Sequence, residues 1–454
     1  MRKHLPLLAI ALGYLMVIVD ATIVNVALPA IGRELGGGVS DLQWVVDAYT
    51  IVFAGLLLSG GSLGDRLGAR RVFDAGLGLF TLASAVCAAA PSVAVLIGAR
   101  IAQGLGAALL VPSSLALLRA TYSKPRERAR AIGAWGATAG IGAASGPIIG
   151  GLLVGLISWR AVFVVNVPLG IGALLLASKQ LPSSGERTAT GFDPPGQLLG
   201  ILALTLLTLG VIQKQWWLVA ASLPVALLFV AVENRSPEPM LPLSLFRGQM
   251  FSGATFVGLA INLGFYGQLF ALSLYFQHVR GFSALTTGLA LLPEGIFVAL
   301  ASMLSGRLMG RTGPRPPMLA GLLCGAAGFA GLIAAGQATP YVVLVAPLIA
   351  AGFGMAFTMP AATAAVIEDA PAEQAGIASG VLNAARQAGG ALGVAVLGTL
   401  IAGQSFVSGL HVAMAVSAGS FLVGALVTFI WVRHHESRDE RILRSRPRPA
   451  SCRS

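Results

Sequence analysis

Gly61-Ser-Leu-Gly-Asp-Arg-Leu-Gly-Ala-Arg-Arg71 is a short charged turn set between two long apolar runs. Two apolar helices can be joined this tightly only where the backbone turns within a few residues, and Gly61, Gly64 and Gly68 permit close approach and unusual dihedrals. Arg66, Arg70 and Arg71 orient the turn, because Lys and Arg accumulate on the cytoplasmic side of membrane proteins. The turn has an echo. In Gly306-Arg-Leu-Met-Gly-Arg-Thr-Gly-Pro-Arg315, the residues Gly306, Leu308, Arg311, Gly313 and Arg315 fall in register with Gly61, Leu63, Arg66, Gly68 and Arg70, at an offset of 245 residues. Ala102-Gln-Gly-Leu-Gly106 followed by Pro112 recurs as Ala350-Ala-Gly-Phe-Gly354 followed by Pro360, at an offset of 248. Two matches at nearly one period imply a duplicated unit, and duplication within an apolar chain is the sequence mark of a secondary transporter.

Composition agrees. The 454 residues are 56% hydrophobic and 11% charged, with mean hydropathy +0.82, a balance that one soluble core could not hide. Runs long enough to cross roughly 30 Å of hydrocarbon number fourteen, from residues 6–30 to residues 408–432. The expected fold is all-α, with fourteen transmembrane helices as two six-helix bundles plus two inserted helices. Residues 1–180 form the first bundle, 181–248 the inserted pair with its linkers, 249–432 the second bundle and 433–454 a basic tail. The inserted pair carries only Lys214 between its helices, and packing is its expected role.

Charge tests this layout. With both termini cytoplasmic, 24 of the 30 Lys and Arg residues lie in inner segments; Arg33, Arg160, Lys214 and Arg280 lie in outer turns, and Arg100 and Arg386 lie within helices. The net charge of +12 is therefore read as orientation, not as a nucleic-acid surface. Cys87, Cys324 and Cys452 are isolated, so neither a disulfide framework nor a thiolate metal site is expected. No cofactor is expected. The phosphate-loop pattern is missing around Lys3, Lys124, Lys179 and Lys214, which argues against a self-powered pump.

Buried charge marks where chemistry belongs, since an ionisable side chain at mid-membrane costs about 3 kcal/mol on insertion scales. Asp20 lies midway along the first run and Glu294 follows Pro293 in the tenth; both are candidate proton sites. Desolvation raises a carboxylic acid's pKa and a nearby cation lowers it, so one carboxyl can exchange a proton for a substrate. Alternatively Asp20 holds Arg100 or a backbone group in a structural role, and Glu294 points into an open cavity without binding anything. Asp47 stands toward the outer end of the second run as a weaker candidate. Asn383, Arg386, Gln387 and Gly390 share one face of the thirteenth run and line a cavity, where Arg386 could pair with Glu294. The fifth run carries Gly142, Gly146, Pro147, Gly150 and Gly151, small residues that let helices approach closely, with a proline that can bend the helix.

The opening turn resembles the signature of the major facilitator superfamily, and Asp20-Ala-Thr-Ile-Val-Asn-Val-Ala-Leu-Pro29 is similar to the first helix of its fourteen-helix drug:proton antiporters. Gln43-Trp-Val-Val-Asp-Ala-Tyr49, Arg100-Ile-Ala-Gln-Gly-Leu-Gly106, Gly146-Pro-Ile-Ile-Gly-Gly151 and Trp159-Arg160 through Asn166-Val-Pro-Leu-Gly170 match further family patterns. Leu274-Tyr-Phe-Gln-His278 and Asn383-Ala-Ala-Arg-Gln387 resemble the methylenomycin-resistance branch. The resemblance implies a plasma-membrane exporter of an amphipathic small molecule, an antibiotic or other toxic compound, driven by protons and acting as a monomer. It makes Arg100 part of a proton relay, the Gly-Pro-x-x-Gly-Gly pattern a mark of export, and the opening turn a gate. In that gate Asp65 accepts hydrogen bonds from arginines, a contact that Gly310 removes from the second copy. The same fold also runs proton symport of nutrients, so uptake is the rival reading. A membrane sensor or embedded enzyme is a further alternative, for which the chain lacks a sizeable soluble domain, a metal cluster or a nucleophile with a base.

Overall fold

The computed structural model describes residues 5–122, 125–181, 193–237, 239, 241–371, 374–402 and 405–432. The basic tail, most of the 181–193 linker, and the side chains of Asp65, Gly310 and Arg311 lie outside the described residues.

The described residues form fifteen α-helices: α1 Leu5–Leu35, α2 Val39–Leu67, α3 Ala69–Ala88, α4 Val93–Thr121, α5 Pro125–Leu156, α6 Ala161–Val164, α7 Asn166–Gln180, α8 Pro194–Ile212, α9 Trp216–Arg235, α10 Gln249–Leu274, α11 Ala284–Thr312, α12 Arg315–Leu332, α13 Tyr341–Asp369, α14 Ala375–Ala402 and α15 Phe406–Trp431. Eleven helical rods among the described residues are long and apolar enough to cross a membrane. One of these joins α6 and α7, which run together over Ala161–Gln180 with Val165, itself in helical conformation, between them. The sequence expectation of one helix at 160–178 is thus met by two pieces.

The boundaries have local causes. Ser92 caps α4 by accepting from the Val95 amide at 3.4 Å, Asp193 caps α8 through Gly196 at 3.0 Å with two prolines following, and Ser283 caps α11 through Thr286 at 3.1 Å. Each spends a side-chain oxygen on an amide that the helix leaves unpaired. The α2–α3 turn passes through Gly68 at φ 96° and the α11–α12 turn through Gly313 at φ 75°, a region where a β-carbon is strained. These are in-register residues of the two sequence copies.

Packing repeats as well. In the first half α1 lies against α5 and α7, α2 against α4, and α3 against α4 and α7; in the second half α10 lies against α14 and α15, α11 against α13, and α12 against α13 and α15. The closest crossings correspond. A β-carbon on Gly76 of α3 would lie 2.8 Å from the Gly106 carbonyl oxygen on α4, and one on Gly321 of α12 would lie 2.8 Å from the Gly354 carbonyl oxygen on α13. The two halves meet along α2 with α14 and α5 with α11, while α8 and α9 pair with each other and lean on α2 and α14 through α8.

Candidate functional site

The most polar part of the interior is built around Asp20, which is fully buried midway along α1. Three donors converge on its carboxylate: an Arg100 guanidinium nitrogen, the Asn166 amide at 3.0 Å and the Gln103 amide at 3.3 Å. Arg100 is 1% exposed; its Nε donates to the Val45 carbonyl at 2.9 Å, its Nη1 also reaches Gln103 Oε1 at 2.8 Å, and its guanidinium lies 4.3 Å from the centre of the Tyr49 ring. Gln103 in turn donates to Ser84 Oγ at 2.7 Å, and Ser84 donates to the Phe80 carbonyl at 2.8 Å. Two opposite charges can be taken out of water together only where such secondary bonds satisfy the remaining donors and acceptors. The five participating helices are α1, α2, α3, α4 and α7, so this network also ties the first half together.

Sequence reasoning pairs Asp20 with Arg100 as one alternative, and the structure brings them together. It passes over Gln103, Asn166 and Ser84. Gln103 sits one turn beyond Arg100, which places it on the same face. Asn166 opens α7 just after Val165 and is 1% exposed.

Within the two bundles, Asp47 and Glu294 are buried without an ion pair among the described residues, as Asp193 and Glu233 are in the inserted pair. Asp47 on α2 is fully buried, and neither of its oxygens has a hydrogen-bond partner among the described residues. The helix begins at Val39 and packs against α4 and α14. Glu294 on α11 is 3% exposed and accepts from the Gln268 amide at 3.1 and 3.2 Å. Gly352 on α13 lies against the Glu294 side chain, where a β-carbon would crowd its Cγ to 2.5 Å.

The thirteenth run becomes α14. Arg386 donates to Asn383 Oδ1 at 3.0 Å, one turn back on the same helix, and its stem covers Gly258 of α10. Its electrostatic neighbours include Tyr14 and Tyr266, and no ion pair joins it to Glu294 among the described residues, so the pairing that the sequence leaves open does not form. Tyr14 stacks on Trp135 of α5 with ring centres 4.0 Å apart. Gln387 is half-buried beside Arg386. Four elements from both halves therefore meet near Arg386.

The α5 glycines serve two partners. Gly142, Gly146 and Gly150 pack on Ile18, Thr22 and Ile23 of α1, whereas Gly151 faces Ala284 and Gly288 at the start of α11, its β-carbon position 2.7 Å from the Ala284 carbonyl. The Pro147 carbonyl points at Gly288. The motif therefore forms part of the seam between halves. The same end of the molecule carries the other crossing bonds: Gln43 Nε2 to the Val394 and Ala395 carbonyls at 3.1 and 2.8 Å, and Gln277 Nε2 to the Val26 carbonyl at 3.0 Å. Beside it, Glu34 at the end of α1 accepts from Trp159 Nε1 at 2.7 Å and from Arg160.

At the opposite end, the two charged turns hold their own halves. Arg70 bonds Asp74 at 2.8 Å and the Leu181 carbonyl at the end of α7. Arg315 bonds the Phe429 carbonyl at 2.8 Å in the last turn of α15. Gly61 packs on Pro112, Gly306 meets open space, and Arg66 is exposed at the turn. The Asp65 and Arg311 side chains, named in the expected gate, lie outside the described residues.

Comparison with known proteins adds the following. The family description "Major Facilitator Superfamily" matches residues 10–394. The multidrug resistance protein Stp of Mycobacterium tuberculosis is 42% identical over 410 residues, covering 88% of this chain and 76% of that protein. The methylenomycin A resistance protein of Streptomyces coelicolor is 35% identical over 451 residues, covering 96% and 95% respectively. The inward open conformation of the xylose transporter XylE from E. coli superposes with a TM-score of 0.68 at 15% identity, covering 95% of this chain and 97% of that one.

Proposed function

The chain belongs to the Major Facilitator Superfamily, and from that premise we propose that it is a proton-coupled exporter of amphipathic small molecules, antibiotics or other toxic compounds. The names of its relatives support drug efflux: multidrug, methylenomycin, tetracenomycin and puromycin resistance proteins are among them. The chain is a multi-pass membrane protein of a family of transporters, not of enzymes.

The reading extends to topology. Fourteen crossings result if α6 and α7 cross as one rod and every other α-helix crosses once. The first bundle is residues 1–180, the second 249–432, and the pair between them is inserted. Both termini are cytoplasmic, as the distribution of Lys and Arg favours. One copy of the chain suffices for the pathway.

The mechanism is alternating access, the two bundles rocking about the α2–α14 and α5–α11 seams. On the proposed orientation the bonds of Gln43 and Gln277 close the outer end, and release of substrate requires them to part. The observation that carries proton coupling is the contrast among the buried carboxyls of the two bundles: Asp20 holds a cation, while Asp47 and Glu294, like Asp193 and Glu233 of the inserted pair, have no ion pair among the described residues. Protonating Asp20 removes the charge that binds Arg100 and frees the guanidinium to shift, so Asp20 and Arg100 couple the proton to the helices. Glu294 carries a proton in the second bundle. Asp47, Asn383, Arg386 and Gln387 border the substrate path, and the turns at Gly61–Arg71 and Gly306–Arg315 form the gate. One net charge crossing 100 mV supplies about 2.3 kcal/mol, enough for roughly a fortyfold gradient.

The test uses inside-out vesicles energised to an acidic interior. Adding amphipathic antibiotics should release protons in the wild type and not in Asp20→Asn. Release of equal size from the variant would remove Asp20 from the pathway, and uptake of the compounds by intact cells would reverse the direction.

A further inference from the structure

The inserted pair does more than fill space. A cleft of about 720 Å³ lies between α8 and α9 on one side and α2, α10 and α14 on the other. Its wall owes its shape to small residues, among them Ala54, Gly200, Ala203, Ala226, Ala384 and Ala388. Such residues ordinarily draw helices into contact. Here they face space, because α8 meets α2 through Ile201 on Gly55 and α14 through the Thr399 hydroxyl on the Val211 carbonyl, 3.2 Å apart, which prop the pair away.

The mouth of the cleft faces the bilayer. Leu223 and Phe256 belong to its wall and are 65% and 38% exposed, beside the lipid-facing Leu227 of α9. Three hydroxyl residues line it. Ser222 donates to the Val219 carbonyl at 2.7 Å and Ser252 to the Phe246 carbonyl at 2.8 Å, but Thr255, 6% exposed, has a hydroxyl with no partner among the described residues. A buried hydroxyl left unpaired costs free energy, which a ligand's acceptor would recover.

We propose that this cleft is a second binding site, loaded from the hydrocarbon of the membrane, for an uncharged chain- or ring-bearing molecule with one hydrogen-bond acceptor for Thr255. The volume falls within the roughly 300–1,000 Å³ of small-molecule sites. No charged side chain among the described residues lines it, so its walls favour an uncharged occupant over ions and zwitterionic headgroups. Ala384, Ala385 and Ala388 line the cleft from the same turns of α14 that carry Asn383, Arg386 and Gln387, so an occupant is separated from the proposed substrate path by one helix. The role of a loading site for exported compounds rests on the export reading; the binding itself does not.

The test measures binding without transport. The full chain in lipid nanodiscs is photolabelled with a fatty-acid methyl ester that carries an alkyl diazirine, and labelled peptides are mapped by mass spectrometry. Labelling of α8, α9, α10 and α14 should saturate with probe, fall at least fivefold in Ala203→Trp, and stay unchanged in Leu198→Trp, which adds the same bulk on the exposed face of α8. Thr255→Val keeps the shape and should weaken apparent affinity two- to tenfold, the range of one net hydrogen bond. That variant decides the matter if Ala203→Trp fails to fold. Labelling that rises linearly and evenly over all lipid-facing helices overturns the proposal. So does labelling by an acyl-diazirine phosphatidylcholine that the ester does not displace, because the cleft then holds bilayer lipid. Proton release assays are untouched by either result.

Discussion

Arg70 and Arg315, 245 residues apart in the sequence, make the same contact in the two halves. Each starts the third long helix of its half and donates to a carbonyl at the end of the last one, Leu181 in the first half and Phe429 in the second. Those carbonyls are themselves 248 residues apart. A cation there satisfies orphan acceptors at a helix C-terminus and meets its negative dipole end.

Both contacts stay within one half, so they stiffen bundles without joining them. Arg70→Gln and Arg315→Gln should each cost about 0.5–1 kcal/mol of stability. Being far apart, the two should add. Thermal unfolding of the purified protein checks this, and a loss in the double variant much larger than the sum would show that the contacts are coupled through the seam.

Arg100 presents a different case, because its charge has no access to water. Arg100→Gln and Asp20→Asn each leave one buried charge uncompensated, and a loss of about 3–5 kcal/mol is expected for each. The double variant should be more stable than the Arg100→Gln single variant, since both charges are gone. Arg100→Lys should not rescue, as an ammonium cannot reach Asp20, Gln103 and the Val45 carbonyl together. Unfolding temperatures of the four proteins form a cycle, and simple additivity would mean that the pair contributes nothing.

What the sequence reveals here depends on whether a residue's neighbour lies on its own helix or on another one. Gly68 and Gly313 are readable because a sharp turn demands the residue type itself, and repetition at a fixed offset separates them from chance. Asp20 and Arg100 are readable because charge in an apolar run has to be explained. Gln103 and Asn166 are ordinary polar residues until packing of α1, α4 and α7 aims them at one carboxylate. The Arg386–Glu294 pairing fails for the same reason: opposite charges on α14 and α11 suggest a pair, but α14 lies against α10 and places Arg386 beside Tyr14 and Tyr266. For Asp47, depth along a run does not say what covers it.

Gln43 tests the seam. Its amide crosses from α2 to two carbonyls of α14, and Gly398 leaves room for it. Gln43→Leu removes both bonds at nearly constant volume and should destabilise the closed end by about 1–2 kcal/mol, shifting the population about five- to thirtyfold toward the alternative state. Spin labels at Ile157 and Thr286, on the facing ends of α5 and α11, would then report a longer-distance population. An unchanged distribution would place the seam's strength in the glycine contacts alone.

The gate gives a prediction that separates binding from movement. Asp65→Asn should impair transport while leaving substrate binding largely intact, because the turn lies away from the polar residues of α1, α11 and α14. Equilibrium binding of a labelled substrate and its transport in the same preparation measure the two quantities. Unchanged transport would remove the charge latch.

Glu294 offers the sharpest separation of stability from coupling. Its polar partner among the described residues is the neutral amide of Gln268, so Glu294→Gln strands no buried cation, unlike a change at Asp20. The replacement keeps the side chain's shape against Gly352, and the unfolding temperature should hold or rise. If the carboxyl carries a proton through the cycle, the fixed neutral amide should lower proton release at least fivefold. Exchange of labelled for unlabelled substrate, which needs no net proton movement, should continue in the same vesicles. Loss of both activities in a stable protein would assign Glu294 to substrate binding, and retention of both would leave Asp20 and Asp47 as the carboxyls that carry the coupling.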